Sequence, residues 1–428
     1  MDSLERKRTG FQKSIAWGSL LAGFCWVLFF SFFTIKESIP DKIWMEKGQE
    51  ERFDFHLPIT GEMEQSGLEV FGNQSPMVDK DKIRLDLNES FSLKSKEQGS
   101  YSISCKLFGF IHVKEVAVEV VEQTQVVPCG TPVGIYVKTD GILIIGTGTV
   151  MGTDGMNYDP ADHLVQSGDY IKTVDDTVIS TKEELIQEVC GSQGEPVVLG
   201  ILRDGEYIKT KIQPVKTGED EFKLGIWVRD DLAGVGTLTF YEQSGAYGAL
   251  GHPVSDMDTG KRVNIGEGTL YEAEIADIVK GEKGNPGEIS GVITYLDQYR
   301  LGDVSENAGT GIYGTLDRIP EEDKGIAPYP IGLKQEIKEG EAAIISTVSG
   351  ERKEYSILIT EMDYNSENKG ILFQVTDPEL LSLTGGIIQG MSGSPIIQNG
   401  KVIGAVTHVF VQDASKGYGI FIENMLGH

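Results

Sequence analysis

The sequence predicts a mostly β chain behind a single N-terminal membrane-spanning helix, and three stretches predict it. Ser14 to Ile35 carries no charge over 22 positions. At about 1.5 Å rise per residue, such a run spans the ~30 Å hydrocarbon core of a bilayer. From about residue 79 onward, apolar residues alternate in short runs broken by Gly, Asn, Asp and Pro, which is the pattern of strands. Late in the chain, Pro395-Ile396-Ile397 and Val402-Ile403-Gly404-Ala405-Val406-Thr407 flank Gln398-Asn399-Gly400-Lys401. There Asn-Gly supplies the two positive φ angles of a type I′ hairpin turn.

Composition sets the outer limits. A chain of 428 residues has room for two or three domains, and 53 glycines suit a β-dominated one. The net charge of −27 excludes nucleic acid as the principal partner, because phosphate neutralisation needs Lys and Arg in excess. Cys25, Cys105, Cys129 and Cys190 show no metal-binding spacing, so neither a metal site nor a cofactor is expected. Cys25 sits in the apolar run, which leaves three. Unpaired buried thiols are the expectation, with a Cys105–Cys129 bridge as the alternative.

Taken in order, residues 1–13 carry Arg6, Lys7, Arg8 and Lys13, and the excess of positive charge places them in the cytoplasm. A cleaved signal peptide would have a shorter apolar region and a small-residue cleavage site, so 14–35 reads as a retained anchor. Residues 36–125 form the next region. In it 37–75 reads as an extended stalk, and 79–124 as a small β-rich part with alternating Ile83, Leu85, Leu87, then Tyr101, Ile103, Cys105, then Val116, Val118, Val120. The segment 126–215 contains Asp159-Pro160-Ala161, Gly168-Asp169-Tyr170-Ile171, a capping-box helix start at Ser180-Thr181-Lys182-Glu183, and a hairpin across Asp204-Gly205. That order resembles a PDZ domain of the bacterial protease-associated kind. The resemblance implies that Val133, Gly134 and Ile135 form a loop that captures a peptide carboxylate through backbone N–H groups. From 222 to 428 many short strands at close spacing predict a barrel-like all-β domain.

That last domain holds the chemistry. Gly390-Met391-Ser392-Gly393-Ser394-Pro395 puts a serine on a tight glycine-flanked turn, where backbone N–H groups can face a substrate carbonyl. A serine hydroxyl needs a base. His56 and His112 precede the PDZ-like segment and His163 falls inside it, whereas His252 and His408 share the serine's domain. His252 lies between Gly251 and Pro253 at a strand end, 140 residues before Ser392, and is the preferred base. His408 alternates within Val406-Thr407-His408-Val409-Phe410 and reads as a half-buried strand residue. The order His before Ser is that of chymotrypsin-like double β-barrels. For the orienting carboxylate, position alone leaves Asp377, Asp297 and Asp303 open. The N–H groups of Gly390 and Ser392 are the oxyanion-hole candidates, and Ser394 is expected to cap or pack the loop.

The anchor, the PDZ-like module, Gly251-His252-Pro253, Thr376-Asp377-Pro378, the Gly390–Pro395 loop and Thr407-His408-Val409-Phe410 together resemble the stage IV sporulation protein B family. These are sporulation-signalling serine peptidases of endospore-forming bacteria. The resemblance implies a triad of His252, Asp377 and Ser392. It also implies an enzyme anchored in the forespore membrane, with its bulk in the space between forespore and mother cell. There it would cleave itself and a membrane-anchored regulator of an intramembrane metalloprotease, allowing late sigma-factor activation. A different reading is a non-catalytic scaffold, tethered to the membrane, that binds protein C-termini. Covalent labelling of Ser392 would separate the two.

Overall fold

The computed structural model describes residues 2–64, 67–72, 77–79 and 82–428, and it is mostly β. The chain divides into two compact units: one runs up to residue 124 and takes in 333–337 and 363–366, and the other comprises 125–332, 338–362 and 367–428.

The first unit begins with helix α1 (Asp2–Ser38). Its stretch Ser19–Ser38, with a mean hydropathy of 1.7, is long and apolar enough to cross a membrane. The expected stalk over 37–75 is not extended chain. Lys42–Glu46 pairs in parallel with Ile111–Val121, and Ile59–Glu64 lies between Gly99–Leu107 and Lys82–Asp86 in one six-stranded sheet. Glu50–Phe53 and Leu68–Gly72 flank Phe91–Ser95 in a second, three-stranded sheet. These strands are only four to six residues long, so each shows two or three inward positions and the alternation is hard to read. Their buried residues Ile43, Met45, Phe53 and Ile59 nonetheless join Leu85, Cys105 and Val118 in a single core. At roughly 1.5–3 kcal/mol for each large apolar side chain buried, that core holds the unit together.

The second unit is built on one long strand, β1 (Gln125–Thr147). Its first half belongs to a barrel and its second half to an inserted module. The module contains β2 (Tyr170–Val174), helix α2 (Lys182–Gly191), and the hairpin β3 (Val197–Arg203) and β4 (Glu206–Ile212). Asp204 and Gly205 turn that hairpin with positive φ, as Asp-Gly should. The cap of α2 is Thr181, which accepts from Glu184 N while the Glu184 carboxylate accepts from Thr181 N. The box therefore sits one residue later than the sequence suggested. Ile142, Ile171, Leu185, Val189, Leu199 and Ile212 form the module's own core.

The chain leaves the module on β5 (Ile226–Tyr241), which pairs antiparallel with β1 along nearly its whole length, from Thr147↔Ile226 to Val127↔Tyr241. Next come β6 (Ala246–Ala249), β7 (Ile265–Val279), β8 (Glu288–Ile293), β9 (Arg300–Ala308) and β10 (Gly311–Leu316). Because β1 pairs with β5 on one edge and β7 on the other, the path β1-β5-β6-β10-β9-β7 closes into a six-stranded ring. Val133, Ile135, Val137, Leu238, Leu270, Leu301 and Ile312 fill it.

A second closed barrel follows. It consists of β11 (Gly340–Ser346), β12 (Lys353–Met362), β13 (Ile371–Val375), β14 (Pro395–Gln398), β15 (Lys401–Phe410) and β16 (Asp413–Phe421). The short helix α3 (Pro378–Thr384) and the Gly390–Pro395 loop connect β13 to β14. This is the double β-barrel the sequence predicts. Residues 125–138, before the module, are a strand of the first barrel, and the chain returns to that barrel on β5 after it.

Candidate active site

The Gly390–Pro395 loop is pinned onto the first barrel by one residue of β5. Thr237 donates through Oγ1 to the Gly390 carbonyl at 2.7 Å and through its amide to the Ser392 carbonyl at 3.1 Å. On the other side Gly393 N donates to Val406 O on β15 at 2.7 Å. Gly393 holds φ +100°, and a Cβ there would lie 2.1 Å from Thr237 O, so only glycine lets the turn come this close to the strand. Ser394 is fully buried and its Oγ has no partner, which removes it as a nucleophile. Ser392 is only partly covered, and its Oγ donates to Thr407 O at 2.9 Å.

The histidine arrives from the first barrel through a strained corner. Leu250 sits at φ +69°, rare for a side chain with a Cβ, and Gly251 follows at +71°. A Cβ on Gly251 would meet Thr407 Cγ2 at 2.8 Å and Ile420 Cγ2 at 2.9 Å, so the bend brings His252 against the second barrel. His252 Nδ1 lies 3.0 Å from Pro253 O. A carbonyl only accepts, so Nδ1 carries the proton and the neutral ring presents an unprotonated Nε2, the form a general base requires. Burial holds this imidazole below its ordinary value of 6.5, against the opposing pull of the Pro253 carbonyl, and keeps it neutral at pH 7.

His252, Ser392 and Gly390 line one cleft of about 860 Å³, with Leu232, Val235 and Leu250 on its apolar wall. The amides of Met391, Gly393 and Ser394 are spent on Ile388 O, Val406 O and Met391 O. Those of Gly390 and Ser392, the expected oxyanion-hole donors, have no acceptor among the described residues. The structure thus brings Ser392, His252 and two unspent N–H groups to one cleft.

It does not bring Asp377 to His252. Asp377 is the N-cap of α3: its Oδ1 accepts from Glu379 N at 2.9 Å and Leu380 N at 3.0 Å, and its Oδ2 accepts from Ser356 N at 3.3 Å. A carboxylate before Pro at the first helical position is a strong capping signal, and capping uses the lone pairs an imidazole would need. Asp303 pairs with Arg300, and Asp297 opens a short 3₁₀ turn, so neither alternative orients the base. His408 is a half-buried strand residue, as its alternation predicts, and it lies beside His252. Its ring centroid lies 5.5 Å from that of His252, its Nδ1 is buried without a partner, and burial together with His252 pushes it down to about 4. The signal available was its place next to Thr407 on the strand behind the serine.

Val133, Gly134 and Ile135 are also not where the resemblance put them. All three lie mid-strand in β1, paired to β5 and β7 at once, and Val133 and Ile135 are core. Alternating Val, Ile and Val around Gly134 is a barrel strand's pattern, and its amides are committed to the ladder. The module instead has a groove of about 540 Å³ between α2 and the start of β5, lined by Thr149, Leu185, Ile186, Val189, Phe222 and Trp227.

Two closed β-barrels with a serine turn and a histidine corner facing one cleft define a serine peptidase. Residues 220–426 match the family model described as SpoIVB peptidase S55. Among solved structures, the inactive form of the Rv3671c protease is 15% identical, covering 45% of this chain and 80% of its own, at a TM-score of 0.24. A serine-to-alanine mutant of Rv3671c from M. tuberculosis H37Rv, also inactive, is 14% identical over the same shares, at a TM-score of 0.23. No curated protein matches the chain.

Proposed function

We propose that the protein is a membrane-anchored serine endopeptidase that cleaves itself and a membrane-associated regulator during sporulation, with the inserted module acting as a PDZ-like reader of peptide ends. The observation that carries the catalytic part is the shared cleft of Ser392 and an Nδ1-protonated His252. Ser392 Oγ attacks the scissile carbonyl, and His252 Nε2 takes its proton and returns it to the leaving amine. The Gly390 and Ser392 amides hold the developing oxyanion, and losing one such donor typically costs ~100–1,000-fold in rate. Catalysis requires the hydroxyl, here on Thr407 O, to turn about χ1 toward Nε2. The groove between α2 and β5 takes over the peptide-binding role first assigned to Val133–Ile135. It has an open strand edge and apolar wall positions, which are what strand addition requires. The basic residues before α1's apolar stretch support a cytoplasmic N-terminus and an extracytoplasmic catalytic unit, and the family match supports the forespore setting.

The test is covalent. A fluorophosphonate probe should label the full chain at Ser392. Labelling should vanish in Ser392→Ala and fall at least ~1,000-fold in His252→Ala. Labelling of Ser392→Ala at the wild-type rate would remove Ser392 as the nucleophile, and a wild-type chain that does not label would favour a non-catalytic scaffold.

A further inference from the structure

The loop that follows His252 is held from two sides. From the barrel, Asn307 on β9 accepts from Val254 N at 2.8 Å and donates through Nδ2 to Val254 O at 2.8 Å and Val263 O at 2.9 Å. From the opposite side comes Arg229, near the start of β5. Its guanidinium pairs with Asp256 through Nη1 and with Asp258 through Nη2, the latter at 2.9 Å.

The Asp256 side chain is fully buried. Its second oxygen accepts from Asp258 N at 3.1 Å and Thr259 N at 2.8 Å, while its backbone bonds Lys261 O and Gly260 N. One carboxylate therefore closes the turn four residues past the catalytic histidine and also holds the guanidinium. Removing the guanidinium leaves the buried charge to the Asp258 and Thr259 amides alone, which shifts the balance that sets the turn's shape. Pro253 restricts how much of any shift can be absorbed before His252.

We propose that the Arg229–Asp256 ion pair is a positioning device for His252, fixing the imidazole through the loop between them. This rests on the reading of Ser392 and His252 as nucleophile and base. Arg229 touches neither reacting atom and acts through the loop.

The measurement is inactivation of the full chain, kept in detergent micelles, by a fluorophosphonate probe, resolved into kinact and KI. Arg229→Gln should lower kinact on the order of 100-fold, the effect of misplacing a catalytic group by about 1 Å, with KI nearly unchanged. Arg229→Lys keeps the charge but loses the two-pronged contact, and should fall between. A wild-type kinact in folded Arg229→Gln overturns the proposal, as does an equal change in kinact and KI. Should Arg229→Gln melt at the assay temperature, Arg229→Lys decides: an intermediate kinact supports the proposal and a wild-type kinact overturns it. Wild-type labelling at Ser392 with unaffected variants removes this inference alone. A wild-type chain that does not label at Ser392 removes it together with the reading beneath it.

Discussion

Asp323 is the residue whose environment contrasts most with its chemistry. Its side chain is wholly buried, and neither carboxylate oxygen has a hydrogen-bond partner among the described residues. Burial pushes its carboxyl up from 3.8 to about 6, although Thr131, Arg352 and Cys129 nearby pull the other way. A carboxyl raised in the folded state binds its proton more tightly folded than unfolded. Native stability therefore rises as pH falls from about 6 toward 3.8, and above 6 the molecule carries the full cost, on the order of 3 kcal/mol. Asp323→Asn should accordingly raise the melting temperature at pH 8 and leave it nearly unchanged at pH 4. Calorimetry showing equal shifts at both pH values would refute this. Nothing in Ile319-Pro320-Glu321-Glu322-Asp323 distinguishes the one buried carboxylate from its exposed neighbours, because its burial comes from β1, nearly 200 residues earlier. The turn around Ser392 and the corner before His252, by contrast, stand where Gly390, Gly393 and Gly251 place them, because a positive φ is a local demand that the sequence writes locally.

At the scale of elements, helix α3 shows how one residue supports two readings. Thr376-Asp377-Pro378 fits both a family motif and a helix start, and only the placed backbone amides of Glu379, Leu380 and Ser356 tell which contacts the carboxylate makes here. The two uses separate by mutation. Asn keeps the cap on Glu379 and Leu380 and gives up only the long contact from Ser356 N, so Asp377→Asn should keep Ser392 labelling and most of the stability, whereas Asp377→Ala should lose about 1 kcal/mol. A loss of labelling in folded Asp377→Asn, of the ~10,000-fold size seen when a triad carboxylate becomes an amide, would return Asp377 to the triad. Short elements with strong turn chemistry were readable in advance: the Asp204-Gly205 and Asn399-Gly400 hairpins both stand where their sequences place them. The strands of 37–75 were not, since a four-residue strand shows too few alternations to separate from coil.

For the whole molecule, the mostly β character and the barrels were visible in the spacing of strands, but the topology was not. A sequence read from left to right places the module ahead of the catalytic domain. The pairing of β1 with β5 puts it inside that domain, because the first barrel's opening strand is already complete before the module starts. Only long-range register carries that information, and one-dimensional periodicity does not contain it. Thr147 and Ile226 are register partners, and Gly148 N donates to Gly225 O at 2.8 Å, so the module enters and leaves at the tip of what would otherwise be a plain hairpin. Replacing 148–225 with Asn-Gly should therefore leave a soluble, cooperatively melting barrel pair that still labels at Ser392; aggregation of that variant would show that the barrel depends on the module. The module thus borrows a strand from its host: its ends meet at one hairpin tip, yet Ile142 and Ile144 of β1 belong to its core.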